Sequence, residues 1–195
     1  MANISKSSAA AQKRAKTKTE VVARDGEDSN AETLAAEISQ ENAPDNAVVQ
    51  HLQRQVANAF VLYANYKHYH WQTYGPLFRD LHLLFDEFAE AVLATADEFA
   101  ERVRMIGQDP ISGLLEMVEA ASVKVAERRQ TMREMIEEAD TNLLTVIKEM
   151  RDGARTADEQ NDPGTNDLFA RTVQIHEKHE WWLRDILEKR DGLAV

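Results

Sequence analysis

From Asp45 almost to the C-terminus, apolar residues return every three or four positions in four long stretches, with few interruptions. That spacing lays an apolar stripe along one face of a helix and leaves no alternation for a strand. Leu52, Val56, Ala59, Tyr63, Tyr66 and His70 form the first stripe and predict a helix over about 46–73. Gly75-Pro76 ends it, and a proline can open the first turn of the next helix. Phe78, Leu81, Phe85, Phe88, Val92, Phe99, Val103 and Ile106 mark the second helix, with Gly107 as its stop. Met132, Ile136, Ala139, Leu143, Val146, Met150 and Ala154 mark the third, and Leu168, Thr172, Ile175, His179, Trp182 and Ile186 the fourth. "PISGLLEMVEA" predicts a short helix inside the long second-to-third connection, and "EQNDPGTND", 159–167, predicts a turn. Seven glycines and four prolines in 195 residues leave room for such elements. The expected fold is all-α, a four-helix bundle whose crossover between helices 2 and 3 holds a short helix.

The stretch before the bundle is different. Residues 1–24 carry six bases and one acid, and residues 25–45 carry seven acids and no base. Both are rich in Ala, Ser, Asn and Thr, too little apolar surface to offset the entropy of ordering. The expected division is therefore a disordered tail over 1–45, basic then acidic, and a helical domain over 46–195. The domain holds 17 bases and 26 acids, so its body as a whole repels a nucleic-acid duplex. With no cysteine, disulfides, thiolate metal sites and cysteine nucleophiles are excluded. No apolar run reaches 18 residues and no signal-like segment opens the chain, so neither membrane spanning nor secretion is expected.

The second helix carries the chemistry. His82, Asp86, Asp97 and Glu101 lie at about 0°, 40°, 60° and 100° around its axis and share one flank. His82 and Asp97 are nevertheless roughly 22 Å apart along a straight helix, too far for one ion. Their order is palindromic: His82 with Glu101, and Asp86 with Asp97, share the midpoint 91.5. Packed antiparallel on a copy of itself, this face would bring each histidine to the other chain's glutamate, twice per dimer. Ala89 and Leu93, with Ala91, Ala94 and Ala96 close by, would let the backbones approach. His70 points inward on the first helix, and the hairpin at Gly75-Pro76 returns the chain so that both imidazoles reach similar depth. An N/O set without sulfur suits Fe²⁺, Mn²⁺ or Zn²⁺. Taken one by one, these histidines also read as core residues and the carboxylates as a solvated flank; the shared midpoint and the matched depth favour a metal centre. The Glu-x-x-His pair of bridging di-iron bundles does not occur. His176 and His179, three apart on the fourth helix, read as packing residues and stay outside the site.

"KHYHWQTYGPLFRDLHLLFDEF" and "ADEFAERVRMIGQDP" resemble the two signatures of the Dps family, the mini-ferritins, and "HEKHEWWLRDIL" is similar to the family's last helix. The resemblance covers roughly 46–190. It implies a ferritin-like bundle assembled as a hollow homododecamer, with ferroxidase centres at two-fold interfaces on helix 2. His70, His82 and Asp86 would come from one subunit and Asp97 and Glu101 from its mate, with Asp86 the weaker, water-linked ligand. Trp71 would sit beside the centre and intercept one-electron by-products, packing being its plainer role. The implied activity is oxidation of Fe²⁺ by hydrogen peroxide, or less efficiently O₂, with ferric mineral stored in the cage. Zinc would be a substitute in the same site.

The resemblance implies a cytoplasmic protein and leaves nucleoid association open, because family members differ in whether they bind DNA. Lys6, Lys13, Arg14, Lys16 and Lys18 would bind phosphate backbones non-specifically, and twelve copies would add avidity. The acidic stretch 25–45 opposes this. Asp158, Glu159, Asp162 and Asp167 read equally well as the lining of a three-fold pore or as solvated turn acids.

Overall fold

The computed structural model describes residues 43–188. Five helices form: α1 (Ala47–Gln72), α2 (Phe78–Met105), α3 (Leu114–Ala120), α4 (Met132–Glu159) and α5 (Pro163–Leu187). No strand occurs among the described residues. The expected tail lies outside them except for its last three residues.

The helix ends follow from local chemistry. Asn46 caps α1 by accepting a hydrogen bond from Val48 N. Gly75 turns the chain at φ 86°, in the left-handed region where glycine carries no steric penalty. Pro76 does not start α2; residues 76–77 belong to the turn and the helix begins at Phe78. At its far end Gly107, also left-handed, donates to Arg104 O while Gln108 N donates to Val103 O, a Schellman closure. Thr131 and Glu134 form a reciprocal capping box on α4. Asp162 caps α5 and Pro163 fills its first position, so the α4–α5 turn is only 160–162. The expected turn over 159–167 is shorter because a proline at N1 pre-sets the helical φ.

α1 packs on α2, α4 on α5, and α1 bridges the two hairpins through α4. Leu52, Leu62, Tyr66, Phe85, Phe88, Phe99, Leu143 and Phe169 are each at most 1% exposed and make the core. Gly153 lets α5 close on α4: a Cβ there would stand 2.7 Å from Phe169 Cζ.

The crossover is held in an unusual way. Ser122 N donates to Asn58 Oδ1 (2.9 Å), Lys124 N to Asn142 Oδ1 (3.0 Å) and Ala126 N to Asn65 Oδ1 (2.8 Å). Lys124 O accepts from both Asn65 and Asn142. Three buried asparagines on α1 and α4 thereby satisfy alternate backbone amides of an extended strap.

Candidate metal centre

The hairpin at Gly75 brings the end of α1 against the start of α2 and sets His70 on His82. Their rings stack at 3.7 Å between centroids, 20° from parallel, and Phe78 stacks on the other face of His82. Each Nδ1 bonds the other residue's backbone carbonyl, His70 to His82 O at 2.7 Å and His82 to His70 O at 2.9 Å. A carbonyl can only accept, so both Nδ1 atoms carry the proton in this arrangement. In the neutral rings that leaves both Nε2 lone pairs for a metal, the tautomer fixed by the opposite hydrogen bond.

Asp86 lies one turn past His82, with Oδ1 4.0 Å from His70 Nδ1. Its carboxylate is turned to Lys67, whose Nζ stands 2.5 Å away. The Lys67 hydrogen bond holds Asp86 below the usual carboxylate range, and the same contact raises Lys67. The cluster is therefore an ionised carboxylate beside two imidazoles, with an ammonium in the place where a cation would be welcome.

Asp97 and Glu101 are exposed farther along α2, and neither forms an ion pair among the described residues. Within one chain, no group of three or more His, Asp or Glu able to hold an ion forms among the described residues. The same flank exposes Leu83 (50%) and Leu93 (39%), apolar surface on the side of α2 that carries Asp97 and Glu101. Ala89 and Ala96, expected on that face, are instead buried in the chain's own core at 0% and 2%. They fall toward the Phe85–Val92–Phe99 stripe, and Leu93 and Ala94 remain for an outer contact.

A ferritin-like domain model matches residues 49–192. DNA protection during starvation protein 1 of Deinococcus radiodurans is 33% identical over 142 residues, covering 72% of this chain and 69% of that protein. The protein of the same description from Brevibacillus brevis is 36% identical, covering 70% and 92%. Among solved structures, Dps from Thermosynechococcus elongatus superposes with a TM-score of 0.75 at 43% identity, covering 83% of this chain and 99% of that one. The chain belongs to the Dps family.

The other expected residues of this Dps chain divide clearly. Trp71 is adjacent to His70 and 68% exposed, so packing within its own subunit does not account for it. His176 and His179 are 1% and 4% exposed. Burial lowers His176 to about 4 and, with repulsion from His176 and Lys178, His179 to about 3. His179 stacks on Phe88 at 3.8 Å, inside the bundle rather than at His70 and His82. Asp162 is no free pore carboxylate: it accepts from Thr165 N and Oγ1 and pairs with Arg102 at 2.6 Å. Asp158 and Glu159 are exposed, and exposed Asp167 pairs with Arg171.

Sequence reasoning assigned no role to Lys67. The signal was present: it precedes His70 by three positions, one helical turn, and so shares its face.

Proposed function

We propose that this Dps protein is a ferroxidase, oxidising Fe²⁺ with hydrogen peroxide, or with O₂, at centres shared by two subunits. The observation that carries the reading is the pair of imidazoles whose Nδ1 protons are tied to each other's backbone carbonyls. Two Nε2 atoms are thereby fixed as ligands before any ion arrives, beside an ionised Asp86. Asp97 and Glu101 of a mate would complete the set about a two-fold axis near residue 91.5, the exposed Leu83 and Leu93 being covered by the same contact. Repetition of such dimers fits a hollow dodecamer that stores the product as ferric mineral.

Iron is the substrate. Two Fe²⁺ give up one electron each, peroxide accepts both, and its O–O bond breaks to leave two oxygens at the level of water. Hydrolysis of the Fe³⁺ formed releases protons. Hard carboxylate ligands favour Fe³⁺ over Fe²⁺ and so draw the oxidation forward. Lys67 keeps Asp86 charged and in place until a cation displaces it. The exposed Trp71 indole supplies an electron to any one-electron oxidant that escapes. Zinc is accepted by the same donor set, and a Listeria innocua Dps structure at 31% identity was solved after a zinc soak.

Anaerobic loading with Fe²⁺ followed by stoichiometric peroxide tests this, read by ferric absorbance and radical trapping. Fast oxidation with about one peroxide per two irons and little trapped radical is expected, following the two-electron balance above. Oxidation no faster than in buffer overturns it.

A second reading is favoured by relatives described as DNA protection proteins. The basic residues Lys6, Lys13, Arg14, Lys16 and Lys18 would hold duplex DNA without sequence preference, protecting it physically in a cytoplasmic, nucleoid-associated assembly. Deleting residues 2–24 then abolishes a mobility shift at low salt and leaves iron oxidation intact. No described helix is long and apolar enough to cross a membrane.

A further inference from the structure

Most arginines among the described residues face a carboxylate: Arg102 meets Asp162, Arg151 meets Glu177 and Arg155 meets Asp152. Arg128 and Arg129 do not, and they are adjacent, exposed, and lead into α4. Together with His68 and Gln72 from the last turns of α1 they line an open cleft of about 390 Å³.

The surroundings keep both guanidinium groups unpaired. Glu134 is occupied by Thr131, accepting from its backbone N at 2.7 Å and its hydroxyl at 2.9 Å. Glu138 Oε1 accepts from the Tyr69 hydroxyl at 2.6 Å and from Glu127 N at 3.3 Å. The Glu127 carbonyl in turn bonds His68 Nε2 at 3.2 Å, which ties the arginine loop to α1. Arg129 itself has φ 65°, and both arginines line the same cleft. Glu127 is the one carboxylate of residues 121–131, against the two arginines.

Two guanidinium forks side by side match the oxygens of a phosphate group, which each can take by two parallel hydrogen bonds. Gln72 adds an amide donor from the facing wall. We infer that this cleft binds phosphate, free in solution or as the phosphodiester of a nucleic-acid backbone. The site is separate from the centre at His70 and His82, and it owes nothing to the tail, so its failure leaves both readings above standing.

The test uses the full-length assembled protein. Arg128→Gln with Arg129→Gln is compared with Arg151→Gln with Arg155→Gln, which removes the same charge where the arginines are already paired. Each is titrated calorimetrically with inorganic phosphate at constant ionic strength, and each is run in mobility shifts of a mixed-sequence duplex over a salt series. Gln72→Glu, which places a carboxylate in the cleft and leaves both arginines in place, is the second variant. Loss of phosphate heat by about tenfold in the Arg128/Arg129 and Gln72 variants only, as expected for losing charge-assisted bonds, assigns free phosphate. Absence of phosphate heat, with duplex binding weakened and its salt slope reduced in those variants only, assigns the backbone. Equal weakening in the Arg151/Arg155 control, or no change in any variant, overturns the site.

Discussion

His176 and His179 stand one turn apart on the inner face of α5, and neither ring nitrogen of His176 has a hydrogen-bond partner. Both rings are neutral in the fold at pH values where an unfolded chain, titrating near 6.5, binds protons. Below about pH 6.5 the unfolded state therefore takes up protons that the native state refuses, and stability falls as pH falls. The slope is about 1.4 kcal/mol per pH unit for each imidazole, down to about pH 4 for His176. Replacing His176 with Leu and His179 with Phe should flatten the stability profile between pH 6.5 and 4, as measured by urea unfolding. An unchanged acid slope would locate the sensitivity elsewhere. At the proposed metal centre, His70→Ala with His82→Ala is expected to abolish fast Fe²⁺ oxidation while far-ultraviolet dichroism stays unchanged. The contact of His70 with His82 was legible in the sequence because a stripe position and a Gly-Pro hairpin both encode depth. Lys67 was not, because a lysine beside an apolar stripe has the same pattern whether it is solvated or bound to Asp86.

At the scale of elements, the four stripes predicted the four long helices because burial repeats along their middles, at Leu52, Phe85, Phe99, Leu143 and Leu168, although the stripe members Phe78 and Ile186 at the helix ends are exposed. The ends were less legible. Pro76 reads as a helix start, yet Gly75 in its left-handed conformation places the first helical turn two residues later. A glycine inside a helix costs stability, and at Gly153 of α4 the structure shows a purpose, since Phe169 fills the space a side chain would need. Gly153→Ala adds helix propensity worth about 1 kcal/mol but overpacks Phe169 at a cost of about 1–3 kcal/mol, so unchanged or lowered stability is expected from denaturant titration. The asparagine strap was invisible, because Asn58, Asn65 and Asn142 are polar residues that a periodicity argument places on the outside. Asn65→Ala removes one of the two donors to Lys124 O and the acceptor of Ala126 N, and should cost about 1–3 kcal/mol on unfolding.

At the scale of the assembly, the palindrome makes a prediction that no single chain can satisfy. A variant lacking His70 and His82 and a variant lacking Asp97 and Glu101 should each be inactive. Refolded together, they form mixed dimers in which one site has both defects and the other has none. Random pairing then restores about one quarter of the native sites, since an isologous interface builds two sites from reciprocal halves. No recovery on mixing, with mixed dimers verified by mass, would mean that each centre belongs to one chain. Leu93→Glu places two like charges near the proposed axis and should separate the subunits in sedimentation.

The strap also carries a kinetic signature. The amides of Ser122, Lys124 and Ala126 are sealed by side-chain oxygens at 2.9, 3.0 and 2.8 Å, while Val123 N reaches Asn58 Oδ1 only at 3.4 Å and Val125 N has no such partner among the described residues. Deuterium should enter this segment with an every-second-residue rhythm, slow at the even positions, and the slow amides should open only when α1 and α4 part. An isotope pattern that elsewhere marks the edge of a β-ladder would here be written by three carboxamides.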